Sequence, residues 1–139
     1  MKFDVKVSKL KLKLVPLPKI NKALAKAGLK AKQIILERTD SGKFLGGKYA
    51  NKPYSKSYWK FKSKKHSNPT VNLQYTNHML NSMQTRQVAN RRAMYAEVYF
   101  SNKEANKKAY WNNQTRRFFD LTDRELATVQ NVFKRFIDA

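Results

Sequence analysis

A chain of 139 residues, 41% hydrophobic and 12% aromatic, holds burial material for one domain of ordinary size and too much of it for a disordered chain. Its 30 Lys and Arg against 9 Asp and Glu leave a net charge of +21, which excludes a self-contained neutral surface and calls for anionic partners or interleaved subunits. With no cysteine, a disulfide scaffold, a cysteine-ligated zinc finger and a thiol nucleophile are all excluded.

No stretch approaches the roughly 20 uncharged apolar residues of a membrane span, and the N-terminus alternates Lys with apolar residues where a signal peptide would be uniformly greasy. The expectation is no membrane partner and synthesis in the cytoplasm. Residues 1 to 69 hold 19 basic and 3 acidic residues, and residues 70 to 139 hold 11 and 6, so the charge belongs mainly to the first half.

Positions 3 to 14 read as an extended arm, with Phe3, Val5 and Val7 in one phase and Leu10, Leu12 and Leu14 in the other. The change of phase implies a bulge near Ser8. Pro16 and Pro18 stop the ladder, and Ile20, Ala23, Leu24, Ala27, Ala31, Ile34 and Ile35 recur at helical spacing to about Arg38, predicting an amphipathic helix with a Lys-rich outer face.

Periodicity then disappears from Thr39 to about Pro69, where Gly42, Gly46, Gly47, Pro53 and Pro69 punctuate a run rich in Lys and aromatics. This reads as a long basic loop. Its Tyr49, Tyr54, Tyr58, Trp59 and Phe61 require something to pack against, such as a partner that orders it.

A short helix is expected at Asn77 to Met83, and a hairpin from Thr85–Val88 and Ala93–Phe100 turning at Asn90-Arg91-Arg92. Ser101 with Glu104 has capping-box spacing, predicting a helix to about Asn112. Thr122 with Glu125 repeats that spacing, Leu121 and Leu126 occupy hydrophobic-staple positions, and Leu126, Val129, Phe133, Phe136 and Ile137 line one face of a final helix. The fold class is therefore α+β: a small domain whose antiparallel sheet is packed by a long N-terminal helix and a C-terminal helix.

Catalytic chemistry has little to build on. His66 lies in the solvated run Lys62-Ser63-Lys64-Lys65-His66, and neither it nor His78 has an acidic or imidazole neighbour at ligand spacing. Gly46-Gly47-Lys48 lacks the earlier glycine and the following Ser or Thr of a phosphate-binding loop. No catalytic, metal or cofactor residues are expected.

The basic, aromatic segment Lys48 to Lys65 fits two roles. A nucleic-acid groove would set Lys on phosphates and stack rings on bases. A docking loop between subunits would bury the rings and present charge to an acidic neighbour, and the second is favoured. Lys2, Lys6, Lys9, Lys11 and Lys13 read as a solvated strand face that guards an edge.

The order of segments is distinctive. A basic N-terminal helix precedes Asp40-Ser41-Gly42-Lys43-Phe44-Leu45-Gly46-Gly47-Lys48-Tyr49 and Pro53-Tyr54-Ser55-Lys56-Ser57-Tyr58. Next come Val71-Asn72-Leu73, Thr76-Asn77-His78-Met79-Leu80-Asn81-Ser82-Met83, a hairpin, and Arg116-Arg117-Phe118-Phe119-Asp120-Leu121-Thr122 before the last helix. Over residues 20 to 139 this resembles the virion-morphogenesis and tail-completion proteins of tailed bacteriophages. Asn77 stands where that family has Gly, a mild exchange at a left-handed position, and Gln114-Thr115 replace the family's proline before the arginine.

The resemblance implies a small α+β subunit of a ring, six copies in number, at the tail end or in the neck where head and tail join. It implies portal, adaptor and tail-tube proteins as partners, DNA passing through the channel, and residence in the virion after assembly in the host cytoplasm. The residues expected at its interfaces are Lys48, Tyr49, Tyr54, Lys56, Tyr58, Trp59, Lys60, Phe61, Lys62, Lys64, Lys65, Arg116, Arg117, Phe118 and Phe119. The rival reading from composition alone is a small basic nucleic-acid-binding protein of ribosomal type. A nuclease is a distant third, for want of a carboxylate cluster.

Overall fold

A computed structural model describes residues 2–3, 14–50, 56–65, 78–90 and 92–138, except the side chains of 57, 59 and 63–65. Along these run β1 (Lys2–Phe3), α1 (Leu17–Asp40), α2 (Lys56–Lys65), α3 (His78–Asn81), β2 (Met83–Ala89), β3 (Met94–Phe100), α4 (Lys103–Thr115) and α5 (Asp123–Asp138). The sheet has three strands in the order β1-β3-β2. β1 lies antiparallel to β3 with Lys2 opposite Glu97 and Phe3 opposite Ala96. β2 and β3 are joined by four residues, a connection that only an antiparallel pair permits. The class is α+β, as the sequence predicts. Residues 4–13 of the expected arm, and with them the bulge expected near Ser8, lie outside the described residues.

Contacts within the chain cluster in two compact units. The first comprises Met1–Ile34, Gln84–Tyr99 and Leu121–Ala139. Here α1 starts at Leu17, three residues before the expected apolar periodicity. Pro18 sits in its first turn, where no donor is needed, and the Pro16 carbonyl accepts from the Lys19 and Ile20 amides at 3.0 and 3.2 Å. Ile20, Ala23, Leu24, Ala27 and Ala31 are buried along its inner stripe. At Gly28 an added Cβ would stand 3.5 Å from the Thr85 Cβ and 3.7 Å from the Ala96 Cβ, so the stripe of small residues lets α1 lie close on β2 and β3.

The hairpin turns at Asn90, whose Oδ1 accepts from the Arg92 and Ala93 amides at 2.8 Å each. α5 is built as its spacing predicts. The Thr122 Oγ1 accepts from the Glu125 amide at 3.1 Å and the Glu125 Oε1 accepts from the Thr122 amide at 2.9 Å, a reciprocal capping box. Val129, Phe133 and Ile137 are buried. Phe136, expected on that face, is instead 43% exposed, and the Lys26 ammonium of α1 lies 5.8 Å from its ring centre. Its position, three after Phe133 but one before Ile137, sets it at the edge of the stripe.

The second unit comprises Ile35–Met83 and Phe100–Asp120. α1 ends where Gly42 adopts φ +71°, with the Gly42 amide donating to Thr39 O at 2.9 Å and the Lys43 amide to Arg38 O at 3.1 Å, the paired bonds of a Schellman cap. The short α3 buries Met79 and Leu80, and α4 buries Ala105 and Ala109. The expected Ser101 cap is replaced by Asn102, whose side chain accepts from the Glu104 and Ala105 amides at 2.8 and 3.2 Å. Ser101 is engaged elsewhere, its amide donating to Ser82 O at 3.0 Å at the end of the hairpin.

The expected long loop is interrupted. Residues 56–65 form α2, a stretch without Gly or Pro in which Tyr58 and Phe61, three apart, bring their ring centres to 6.3 Å.

Candidate docking surface

The segment after α4 folds back onto the segment after α1. The Asn113 Oδ1 accepts from the Phe118 and Phe119 amides at 3.0 Å each, which ends α4 at Thr115 and reverses the chain. Three backbone bonds then lock the two segments together: Leu45 N to Arg117 O, Arg117 N to Gly46 O and Tyr49 N to Thr115 O, each 2.8 Å. The Arg38 Nη2 donates to Phe118 O and Asp120 O at 2.7 Å, tying the base of the turn to the end of α1. Gly47 makes this approach possible. Its φ is +105°, and an added Cβ would lie 2.4 Å from the Thr115 carbonyl oxygen.

Four expected interface residues meet in this corner. The Tyr49 ring has the Lys48 ammonium 5.5 Å and the Arg116 guanidinium 5.9 Å from its centre. Arg117 is exposed, donating from Nη2 to Leu45 O at 3.2 Å and standing 3.8 Å from the Asp120 carboxylate. On α2, Lys56 and Lys60 are exposed, Phe61 is 52% exposed and Tyr58 is half-buried.

Phe118 and Lys62, both expected at interfaces, are buried within the subunit. Phe118 is fully buried, its ring centre 6.3 Å from that of Phe100, because the turn after α4 folds it inward; Phe119 is half-buried with its ring 4.8 Å from Phe100. Lys62 is also buried, and desolvation pulls its ammonium below the ordinary lysine range, so it does not serve as an exposed docking charge. Tyr54 and the side chains of Trp59, Lys64 and Lys65 lie outside the described residues.

Polar contacts of the first unit gather on the sheet. Arg86 of β2 donates to the Glu97 carboxylate of β3 and stacks its guanidinium 4.6 Å from the Tyr99 ring centre. The Tyr99 hydroxyl donates to the Gln84 Oε1 at 3.3 Å, and the Lys2 ammonium lies 4.9 Å from the Tyr95 ring centre. The bond from Arg86 holds the Glu97 carboxyl below its usual range, with Lys2 adding to the effect. Arg86 itself is more than half exposed, so solvent screens much of this pair.

No protein-family model matches the chain, and neither a curated protein nor a solved structure does. Among the described residues, no group of three or more His, Cys, Asp or Glu side chains is placed to hold a metal ion. No helix there is long and apolar enough to cross a membrane.

Tyr110 and Trp111 of α4 escape the expected list. Each is 63% exposed, and their rings pack edge to face with centres 5.7 Å apart. The signal for them is the pair Ala105 and Ala109, which marks the packed side of α4 and so turns the two following residues outward.

Proposed function

We propose that the chain is a non-catalytic structural subunit of a tailed-phage particle, one copy in a ring of six that completes the tail end or joins the tail to the portal and its adaptor in the neck. The observation that carries this reading is the corner itself. Two of the segments on which the resemblance rests, 40–49 and 116–122, are hydrogen-bonded to each other from Leu45 to Arg117, though about 70 residues separate them in sequence. An assembly motif split along the chain has to be gathered in this way before it can present one surface. That surface is cationic and aromatic, with Lys48, Tyr49, Arg116 and Arg117 together.

Such a surface suits acidic neighbours. Opposed charges across a docking face speed encounter and fix register, and the net charge of +21 supplies them on this side. The partners of this reading are further copies of the chain, portal or adaptor and tail-tube proteins, and DNA in the channel; the site of action is the virion, reached from the host cytoplasm.

Electron micrographs of the purified full-length protein, with its mass in solution measured by light scattering, test the ring. Closed rings of one size are expected, and neutralising Lys48, Lys56, Lys60 and Arg117 together should weaken their docking to acidic partners in a salt-dependent way. A monomer at every concentration and in every micrograph overturns the ring.

A further inference from the structure

We infer that the outer face of α4 is a binding surface for single-stranded nucleic acid, with Tyr110 and Trp111 stacking on bases and Lys103, Lys107 and Lys108 holding phosphates. The two rings are the only large apolar side chains that α4 exposes, and each keeps 63% of its surface open despite their mutual packing. Lys107 precedes Tyr110 by three residues and Trp111 by four, and Lys108 precedes Trp111 by three, so both lysines belong to the turn next to the rings on the same side of the helix. All three lysines are exposed, and Glu104 is the one acid of the helix.

Composition separates nucleic acid from a protein partner here. Protein interfaces share the aromatics but favour Arg and are depleted in Lys, whereas α4 sets its two rings among three Lys and carries no Arg. Lysine ammonium groups act as point charges suited to phosphate, and open ring faces accept any unpaired base. A duplex keeps its bases stacked on one another and offers the rings nothing. The face can meet a single strand on the free subunit, whatever the chain assembles into.

The test uses the full chain carrying Trp59→Phe, which leaves Trp111 as the sole indole. A single-stranded oligothymidylate of about 16 nucleotides, the upper end of the range for one single-strand site, should quench its fluorescence, and a duplex of equal length should not. By anisotropy of the labelled strand, Tyr110→Ala and Trp111→Ala should each weaken binding about 5- to 150-fold, while Trp111→Phe keeps most of it. Changing the three lysines to Gln should reduce the slope of log affinity against log salt by about 2. Because these side chains are exposed, thermal unfolding of the variants should match the parent. Affinity for the strand that is unchanged by both alanine variants overturns the inference. So does quenching of Trp111 by polyglutamate but not by the oligothymidylate, which assigns the face to an acidic protein.

Discussion

Replacing Phe133 by Ala should destabilise the protein by about 3 to 5 kcal/mol, the range for removing a large aromatic side chain from a packed core. Phe133 is 1% exposed at the middle of the buried stripe Val129, Phe133 and Ile137, flanked on both sides by residues that fix the helix in place. The capping box at Thr122 and Glu125 anchors the start of α5, so the helix has little freedom to shift and refill the space. Phe136 supplies the comparison. At 43% exposure it has less to lose, and Phe136→Ala should cost about 1 kcal/mol or less, including its contact with Lys26. Urea titration of both variants measures the difference through the midpoint at constant slope. A loss below about 1 kcal/mol for Phe133→Ala would mean that α5 is an appendage and not part of the core.

The second large effect is expected at Gly47. Gly47→Ala places a Cβ 2.4 Å from the Thr115 oxygen and 2.6 Å from its carbonyl carbon, and the obstacle is backbone, which cannot swing aside as a long side chain would. The residue also sits at φ +105°, a conformation that costs an L side chain of order 1 to 3 kcal/mol by itself. Together these should lower stability by about 2 to 4 kcal/mol and open the corner. The local signature is specific. Amide exchange at Leu45, Tyr49 and Arg117, whose bonds close the corner, should accelerate before that of the buried β3 strand. Unchanged protection at those three amides would contradict a corner built around the glycine.

The two helices that frame the first unit are legible because their signals are local and redundant. In α5 the cap and the apolar stripe agree, and α1 shows seven apolar positions at one spacing, so the packing that the structure adds confirms a pattern already complete in the chain. α2 is not legible in this way. Its sequence, beginning Lys56-Ser57-Tyr58-Trp59-Lys60-Phe61-Lys62, lies between Pro53 and Pro69 and carries no apolar stripe, and in such surroundings a helical turn cannot be told from an ordered loop by period alone.

The candidate site divides along the same line. Composition and segment order single out Lys48, Tyr49, Arg116 and Arg117, but only the fold brings the four into one corner. That Phe118 turns inward while Arg117 stays out depends on Asn113 recapturing the Phe118 and Phe119 amides, a long-range consequence that no spacing announces. Lys62 illustrates the limit of charge as a guide: its long stem can be buried along apolar surface, and only the fold decides whether its ammonium reaches water. Tyr110 and Trp111 were visible in the sequence as aromatics, but their outward placement depends on which face of α4 Ala105 and Ala109 commit to packing.

The proposed role of the chain is to join parts of a phage particle. Deleting its gene from the phage and supplying it again in trans, with particles counted in electron micrographs, tests that claim most directly. Without the protein, DNA synthesis and capsid formation should proceed while full heads and tails accumulate unjoined, and infectivity should return on complementation with the intact chain. Complete, infectious particles assembled in its absence would contradict the account.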